Sequence, residues 1–190
     1  GSGIQYSWLR KMLAPGTPYE SLEAEAANVP IGADGLSVLP FGNGAERIFN
    51  GQHVGGQWRG LNFNRHSRAH LLRAGLEGIA FSFIYGMQIL RDMGLQLQVI
   101  RVGNDNLFQS RVFSDTVATL SDCQIEVLET TGATGAAQAA AVGAGHWSDL
   151  SAIRQNLKKV GQYTPQVTEN TAYQAAYQAW EEALQKNIMT

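Results

Sequence analysis

Hydrophobic and polar residues follow two different periods within one stretch of this chain, residues 97–120. An alternating apolar segment reaches Val102, the tripeptide Gly103-Asn104-Asp105 interrupts it, and apolar residues then return at helical spacing up to Leu120. This pattern predicts a strand, a tight turn and a helix. Ligands of open α/β sheets bind just outside the carboxyl end of such a strand, because the first N–H groups of the helix have no partners there. The turn is therefore a candidate site for a small ligand with a polar or anionic edge, although any strand–helix unit needs a turn residue here for structural reasons.

The remaining pattern is typical of an α/β protein. Helices are expected at residues 6–14, at residues 18–28 with Thr17 as the N-cap, from the cap Ser67 to Leu90, over the alanine-rich residues after Gly132, at residues 148–160 and at residues 169–186. Strands are expected at residues 35–41, 58–63 and 124–129. Alanines and glycines at the density found after Gly132 allow a helix to pack against backbone at short range.

Two of the predicted helices have apolar faces that must be covered. The longest places Leu72, Leu76, Ile79, Phe83, Met87 and Leu90 at helical spacing, and Phe81 and Ile84 widen this face. A helix that is apolar over nearly half of its circumference must be sandwiched between layers, and Arg73 and Glu77, four residues apart, can pair within it. The last helix places Tyr173, Tyr177, Trp180 and Leu184 on one face for docking.

Composition and charge exclude several classes of protein. The chain has 190 residues, of which 44% are hydrophobic and 16% are charged, with a net charge of -2. Such a chain cannot grip a phosphate backbone along its length, so we expect no nucleic-acid partner. The most apolar window, residues 76–90, is shorter than the roughly 20 residues of a membrane span, so we expect no membrane insertion. One cysteine, Cys123, fits a reducing cytoplasm.

Few residues carry a pattern typical of catalysis or metal binding. Cys123 is interpreted as a buried structural thiol, and His66 and His70 as surface or capping residues, because no third metal ligand accompanies them. Glu46 and Arg47 are interpreted as an ion pair that holds their loop. We therefore expect no metal site and no catalytic residue in this chain, and neither standard phosphate-binding glycine motif is present.

Three glycine-rich turns precede helices and could converge on one ligand. They lie at residues 1–3, at Gly103 and at residues 132–135. Asp105 refines this hypothesis, because a carboxylate in the first helical turn repels phosphate. The turn at Gly103 therefore suits the base or ribose end of a nucleotide better than its triphosphate.

Several segments resemble the carboxyl-terminal half of an FGGY-type carbohydrate kinase, and most of all its xylulokinase branch. The resembling segments are GSGIQYSWLRK at the start, LPFGNGAER, the stretch GQWRGLNFNRHSRAHLLRAGLEG at residues 56–78, RVGNDNLFQSRVFSD, TTGATGAAQAAAVGAG and ENTAYQAAYQAW. The stretch at residues 56–78 follows the second FGGY signature and departs from it at Gly75. Arg101 and Val102 stand where the family's adenosine segment has glycines, and Gly103 is retained.

The resemblance implies a fold, a cofactor and a set of site residues. The expected fold is an α/β, ribonuclease-H-like domain of the actin-like ATPase type, with a central mixed sheet flanked by helices, over residues 1–190. Gly103, Asn104 and Asn106 would hold the adenosine of ATP, and Gly3 and Ser7 would line the nucleotide path. Mg²⁺ would bind through the nucleotide. The general-base aspartate and most sugar contacts belong to the family's amino-terminal half, which this chain lacks.

The resemblance leaves two classes of function open. One is the nucleotide side of a cytoplasmic sugar kinase that works with its own amino-terminal domain and, as a fragment, is expected to be inactive. The other is a non-catalytic, kinase-derived module for regulation or assembly that has lost nucleotide binding, which the replacement of two glycines by Arg101 and Val102 favours. In either case an exposed interdomain face could also produce a homodimer.

Overall fold

The computed structural model describes residues 2–44, 46, 49–146 and 157–188. Its helices are α1 (Ser2–Leu13), α2 (Tyr19–Ala27), α3 (Arg68–Asp92), α4 (Arg111–Ser121), α5 (Gly132–Gly143) and α6 (Asn170–Ile188). Its strands are β1 (Ser37–Phe41), β2 (Gly55–Arg59), β3 (Val99–Gly103), β4 (Gln124–Leu128) and β5 (Lys159–Tyr163). Short 3₁₀ turns lie at Ala33–Gly35, Asn106–Gln109 and Val167–Glu169.

The core is built around α3. Residues 72–81 of this helix are all buried, and α1, α2, α4, α6 and β1 pack against it. Two glycines make the closest of these contacts possible. A Cβ atom at Gly75 would collide with the side chain of Leu9 on α1, and one at Gly78 would collide with the backbone of Val38 on β1. The glycines therefore let two neighbouring elements approach α3 at short range.

The predicted ion pair between Arg73 and Glu77 is present and buried. The Arg73 Nε atom lies 2.6 Å from the Glu77 carboxylate, and Arg73 also donates to the carbonyl of Val29 at 3.2 Å. The Gly32 N–H donates to both carboxylate oxygens at 3.1 Å. Because these partners come from the loop before β1, the pair fixes that loop on α3 as well as joining two turns of the helix.

The predicted docking face of the last helix is confirmed in α6. Tyr173, Trp180 and Leu184 are buried, and Tyr177 stacks on Trp180 with 6.0 Å between ring centroids. The indole N–H of Trp180 donates to the carbonyl of Val38 at 2.8 Å. A buried tryptophan needs such an acceptor, so this bond fixes α6 against β1.

The strands form two separate sheets among the described residues. β1 and β2 are an antiparallel pair, and β3, β4 and β5 form a three-stranded sheet in that order. β3 runs parallel to β4, with Val102 opposite Val127, and β5 runs antiparallel to β4. The expected mixed sheet is therefore present, with α4 as the helix that follows its first strand.

Three predicted elements differ from the structure. The second strand was expected at residues 58–63 but is Gly55–Arg59, because the chain turns at Gly60, whose φ of 75° and contact with the Gly35 carbonyl leave no room for a Cβ. Pro18 rather than Thr17 occupies the N-cap position of α2. The helix expected at residues 148–160 falls largely on residues 147–156, which lie outside the described residues, and Lys159–Tyr163 is the strand β5.

Two predicted helices are less covered than their sequences indicate. The alanine-rich helix is present as α5, capped by Thr131, whose hydroxyl accepts from the Thr134 N–H at 3.2 Å. None of its residues is buried within the described part of the chain, so the close packing expected there is not found. On α3, Phe83 and Leu90 are 40% and 41% exposed, although both belong to the predicted apolar face.

Candidate functional site

The candidate site is the corner where the turn after β3 meets the turn after β4. Because β3 and β4 are parallel, their carboxyl ends lie at the same edge of the sheet. The backbone N–H of Asn104 lies 3.0 Å from the carbonyl oxygens of both Leu128 and Thr130. The two turns are therefore joined through backbone hydrogen bonds.

Gly103 is required by the geometry of this corner. A Cβ atom at this position would lie 2.6 Å from the Thr130 carbonyl oxygen and 3.0 Å from a carboxylate oxygen of Asp105. Asn106 has a φ of 59°, in the left-handed region that asparagine tolerates better than most residues. The residue types at these two positions are thus explained by backbone geometry before any ligand is considered.

The corner presents two exposed amide side chains. Asn104 and Asn106 are both exposed. Gly103, which precedes them, and Asp105, which lies between them, are half-buried. The Gln109 side chain donates to the carbonyl of Asn104 at 3.1 Å and closes the turn from the other side. The two amides therefore stand on a braced loop, where each can donate and accept a hydrogen bond.

Asp105 occupies the positive end of α5. One of its carboxylate oxygens lies 3.5 Å from the backbone nitrogen of Gly132, the first residue of α5, and Thr131 caps the same turn. The negative carboxylate compensates the partial positive charge of this helix end. An anionic phosphate would be repelled here, so the corner favours a polar ligand without negative charge.

The predicted helix start directly after the turn is wrong. The turn passes first into the 3₁₀ segment Asn106–Gln109, and α4 begins at Arg111 with Ser110 as its cap. The Ser110 hydroxyl accepts from the Phe113 N–H at 3.1 Å, and the carboxylate of Glu23 accepts from the Val112 N–H at 2.7 Å. Because α2 supplies that carboxylate, the protein itself satisfies the helix end that was expected to bind an anion.

Two of the three glycine turns meet, and the third lies in a helix. The turns at Gly103 and Gly132 share the Asp105 contact. Gly3 and Ser7 lie on α1, which packs on α3 through Leu9. Gly3 is exposed, Ser7 is half-buried, and a Cβ at Gly3 would meet no atom within 4 Å. Gly1 lies outside the described residues.

Arg101 and Val102 lie before the turn, inside β3. The Nε atom of Arg101 lies 3.0 Å from a carboxylate oxygen of Glu126 on the neighbouring strand, and that carboxylate also contacts Lys159 at 3.4 Å. Val102 packs against the hydrophobic core. Both side chains are thus engaged by the sheet itself, and the turn residues from Gly103 onward keep their own geometry.

The other candidate residues have structural surroundings. Nδ1 of His70 accepts from the Ser67 N–H at 3.2 Å and so caps α3, whereas Nδ1 of His66 accepts from the Asn62 N–H at 3.0 Å and closes a turn before that helix. Cys123 is buried, as predicted. In the described part of the chain, no group of three or more metal-ligating side chains comes together.

The sequence also predicts an ion pair at Glu46 and no membrane-spanning helix. Glu46 forms an isolated bridge with Gln52, while the proposed pair with Arg47 lies outside the described residues. Among the helices that the structure describes, none combines the length and the apolar character needed to span a bilayer.

Sequence reasoning missed the contacts that brace the corner. Asp105 was identified by its charge, but its partner Gly132 is 27 residues away, and Glu23 is 89 residues from the Val112 N–H that it caps. The local signal for the left-handed turn was the asparagine at position 106 itself, because asparagine is one of the few residues that favour this conformation.

Comparison with known sequences connects this chain to sugar kinases. A sequence profile of the C-terminal domain of the FGGY family of carbohydrate kinases matches residues 3–144. The xylulose kinase of Bacillus subtilis (strain 168) is 28% identical over 197 aligned residues, which cover 100% of this chain and 37% of that protein. The L-xylulose/3-keto-L-gulonate kinase of Escherichia coli (strain K12) is 30% identical over 166 residues, which cover 86% of this chain and 32% of that protein.

Solved structures of carbohydrate kinases are also similar to this chain. The xylulose kinase of Rhodospirillum rubrum is similar with a TM-score of 0.78 and 29% identity, over 99% of this chain and 39% of that one. The Plasmodium falciparum glycerol kinase, solved with ADP, has a TM-score of 0.75 and 22% identity, over 98% of this chain and 37% of that one. The chain spans less than two fifths of the length of these relatives. The expected fold class, an actin-like, ribonuclease-H-like α/β fold, is confirmed.

Proposed function

This chain belongs to the FGGY family of carbohydrate kinases, and on that premise we propose that it is the nucleotide-side part of an ATP-dependent sugar kinase. The complete reaction is the transfer of the γ-phosphoryl group of ATP to a hydroxyl of a sugar such as xylulose. Phosphoryl transfer needs little covalent participation from the protein, because positioning and charge stabilisation account for most of the rate. The proposed task of this chain is positioning.

The observation that carries the proposal is the braced corner at Gly103. Asn104 and Asn106 present two exposed amides on a turn that is fixed by backbone bonds to the next strand and by Gln109. Amides at this spacing can donate to ring nitrogens and accept from amino groups, which is the hydrogen-bonding pattern of an adenine edge. Asp105 disfavours phosphate at the same place. We therefore assign the adenosine of ATP to this corner, with the phosphates directed away from it.

The remaining parts of the reaction are assigned outside this chain or to its first helix. Gly3 and Ser7 on α1 are proposed to border the nucleotide path, where the open space beside Gly3 would admit a ligand. Mg²⁺ would be held through the nucleotide phosphates and would neutralise charge on them. The general base and most sugar contacts are assigned to an amino-terminal domain, and closure of the two domains would exclude water from the phosphoryl group.

Nucleotide binding by the purified chain tests the proposal. Calorimetric titration with ADP should show weak binding, and deleting the Asn106 amide should weaken it by roughly two- to twelvefold, the equivalent of one hydrogen bond. Asn106→Gly is the appropriate variant, because glycine keeps the left-handed backbone that alanine would strain. Asn50→Gly is its matched control, since Asn50 is also exposed and has a φ of 55°. An isotherm that Asn106→Gly leaves unchanged would refute the assignment of adenosine to this corner.

Sugar turnover by the chain alone provides a second test. We expect no sugar-dependent formation of ADP from ATP in a coupled assay, because the general base is assigned to a different domain. Sustained turnover with xylulose would show that this chain contains a complete active centre and would overturn the division of labour proposed above.

The rival function is a kinase-derived module that binds no nucleotide. The resemblance that places Arg101 and Val102 at two glycine positions of the family favours this function, and Glu126 holds Arg101 in the sheet. The ADP titration separates the two functions, since the module would give no saturable heat with the unmodified chain.

A further inference from the structure

Asp105 lies between the two amides to which the adenosine of ATP is assigned. It is half-buried and directly precedes the 3₁₀ segment Asn106–Gln109. An aspartate at such a position usually accepts a hydrogen bond from an N–H group of the turn that follows it. Every residue of this turn is described, and the Asp105 side chain makes no such bond with it. The carboxylate is therefore not explained as a cap of its own turn.

Capping α5 is the second structural task open to Asp105, and Thr131 already performs it. The Thr131 hydroxyl accepts from the Thr134 N–H at 3.2 Å as the cap of that helix. The Asp105 carboxylate lies 3.5 Å from the Gly132 nitrogen, which is longer than the roughly 2.7–3.2 Å of an ordinary N–H···O bond. Its charge compensates the helix end, but the cap itself is supplied by the threonine.

Two other half-buried carboxylates of this protein show what a closely paired one looks like. The carboxylate of Glu23 accepts from the Val112 N–H at 2.7 Å, and that of Glu126 lies 3.0 Å from the Nε atom of Arg101. Among the described residues, Asp105 has no ion pair and no side-chain hydrogen bond other than the 3.5 Å contact with α5. An ionised carboxylate has about four acceptor positions. Most of these positions are unused inside this part of the chain, so they are available to donor groups of a ligand.

Gly103 leaves the space that one oxygen of this carboxylate occupies. A Cβ atom at Gly103 would lie 3.0 Å from the Oδ1 atom of Asp105, while the Oδ2 atom faces the Gly132 nitrogen. The carboxylate therefore lies between the turn after β3 and the start of α5. This position places it at the same sheet edge as the amides of Asn104 and Asn106.

The chemistry of a nucleotide identifies the donors that fit this carboxylate. The phosphates are anionic and are repelled by it, and the adenine edge is assigned to Asn104 and Asn106. The ribose has two neighbouring hydroxyl groups, which are uncharged and can each donate a hydrogen bond to a carboxylate oxygen. Dinucleotide-binding α/β folds use an acidic side chain for the ribose 2′-hydroxyl in this way. The ribose diol therefore matches Asp105 better than the other parts of the nucleotide do.

We propose that Asp105 is a specificity-determining residue, which accepts hydrogen bonds from the ribose hydroxyls and so selects ribonucleotides over their deoxy analogues. This inference rests on the proposed function, because it takes adenosine to bind at this corner. A hydrogen bond from a hydroxyl to an ionised carboxylate is roughly twice as strong as one between neutral groups. Removing the ribose hydroxyls should therefore weaken binding more than removing the Asn106 amide does.

Calorimetric titration with two matched nucleotides tests the proposal. ADP and 2′,3′-dideoxy-ADP differ in the ribose hydroxyls and share the base and the phosphates. The purified chain should bind ADP at least about tenfold more tightly than the dideoxy analogue, the effect of one hydrogen bond to a charged group. The measured quantity is the ratio of the two dissociation constants, because a change in phosphate repulsion or in the shape of the corner affects both nucleotides alike.

Two substitutions of Asp105 assign this ratio to its carboxylate. Asp105→Ala should bring the ratio close to unity, and Asp105→Asn, whose amide oxygen still accepts but has no charge, should give an intermediate ratio. Because asparagine keeps the size of the side chain, misfolding of Asp105→Ala does not remove the test. Glu129→Ala is the matched control and should leave the ratio unchanged, since Glu129 follows β4 at the same sheet edge and its carboxylate lies 3.7 Å from the Nζ atom of Lys158.

Each outcome decides the proposal. Equal binding of ADP and dideoxy-ADP by the unmodified chain would overturn it, and so would a ratio that persists in both Asp105 variants. Inosine diphosphate, which lacks the adenine amino group, shows whether Asp105 contacts the base instead: discrimination against it that disappears in Asp105→Ala, with the ribose ratio unchanged, would also overturn the proposal. Equal binding of the two ribose analogues, with ADP binding still weakened by Asn106→Gly, would leave the adenosine site standing without this contact. Absence of ADP binding would refute the nucleotide site and this inference together.

Discussion

The two halves of α3 share residue types but have different surroundings. Residues 72–81 are buried without interruption, whereas in residues 82–92 only Ile84 and Met87 are buried. Both halves contain apolar residues, a glycine and an arginine. The comparison shows that helical periodicity indicates which residues require a neighbour, while the neighbour itself must be supplied by other polypeptide. In the first half this chain supplies it, and in the second half it does so on one side.

Substituting the arginine of each half should give the largest difference. Arg73→Met would leave the Glu77 carboxylate buried with Gly32 as its remaining partner, and breaking such a buried pair costs about 3–5 kcal/mol. Arg91→Met removes one bond to the carbonyl of Ser121 and should cost about 1 kcal/mol. Urea unfolding of both variants measures the difference, and equal losses would contradict the description of the first half as the more deeply buried one.

Truncating the leucine of each half should give the next largest difference. Leu76 is fully buried, so Leu76→Ala should lower the free energy of unfolding by about 2–5 kcal/mol through lost contacts and a cavity. Leu90→Ala should cost less than about 1 kcal/mol in the chain alone, since 41% of Leu90 is exposed. A large loss for Leu90→Ala in thermal or urea unfolding would mean that the Leu90 side chain is already covered within this chain.

Replacing a glycine of each half by alanine should change the stability of the fold in opposite directions. Gly78→Ala puts a methyl group against the backbone of Val38 and should destabilise the fold by about 1–3 kcal/mol. Gly86→Ala puts a methyl group in open space and should stabilise the helix by about 0.5–1 kcal/mol, because alanine is the better helix former. The sign of the shift in the urea midpoint is the measurement, and a loss of stability at both positions would show that the space beside Gly86 is occupied.

The smallest effect concerns the pH dependence of stability. Burial raises the pKa of Glu77 above its ordinary value of 4.5, and the Arg73 guanidinium and the Gly32 N–H limit the rise. The folded protein then holds this proton to higher pH than the unfolded chain does. The resulting stability is complete below the unfolded pKa and is lost as pH rises through the folded pKa.

Urea midpoints measured at several pH values test the direction in which stability changes with pH. The free energy of unfolding should fall more steeply with rising pH in the unmodified chain than in Glu77→Gln, whose amide does not titrate. Arg91→Met, in the less buried half, serves as the control and should keep the slope of the unmodified chain. Parallel slopes for the unmodified chain and Glu77→Gln would show that the pKa of Glu77 is not raised.

The local sequence predicted most of the helices and strands. It failed where contacts with distant residues determine the start or the type of an element. The strand at β3, the pair of Arg73 with Glu77 and the buried face of α6 followed from spacing alone, because each depends on residues a few positions apart. The start of α4 was placed too early, because Ser110 and the distant carboxylate of Glu23 together fix it. β5 was missed because it pairs through its backbone with β4 and carries polar side chains.

The candidate site, too, was predicted only in part from the sequence. The sequence identified Gly103, Asn104 and Asn106 as a turn with polar side chains, and their role toward adenosine stays a prediction. It did not reveal that Asp105 reaches the first residue of α5, or that backbone bonds to Leu128 and Thr130 brace the corner. Those contacts arise from the parallel register of β3 and β4, which no local pattern specifies.

By itself the sequence determined most of the elements of this protein, several of their apolar faces and the resemblance to its family, because periodicity, caps and turn residues act over a few positions and motifs are read directly. Tertiary structure alone decided which of those faces are covered. Burial depends on residues far apart in the chain, such as Val38 against Gly78 and Trp180. At Phe83 and Leu90 the same apolar pattern leaves side chains that are 40% and 41% exposed, although Phe83 packs against Phe108 and Phe113.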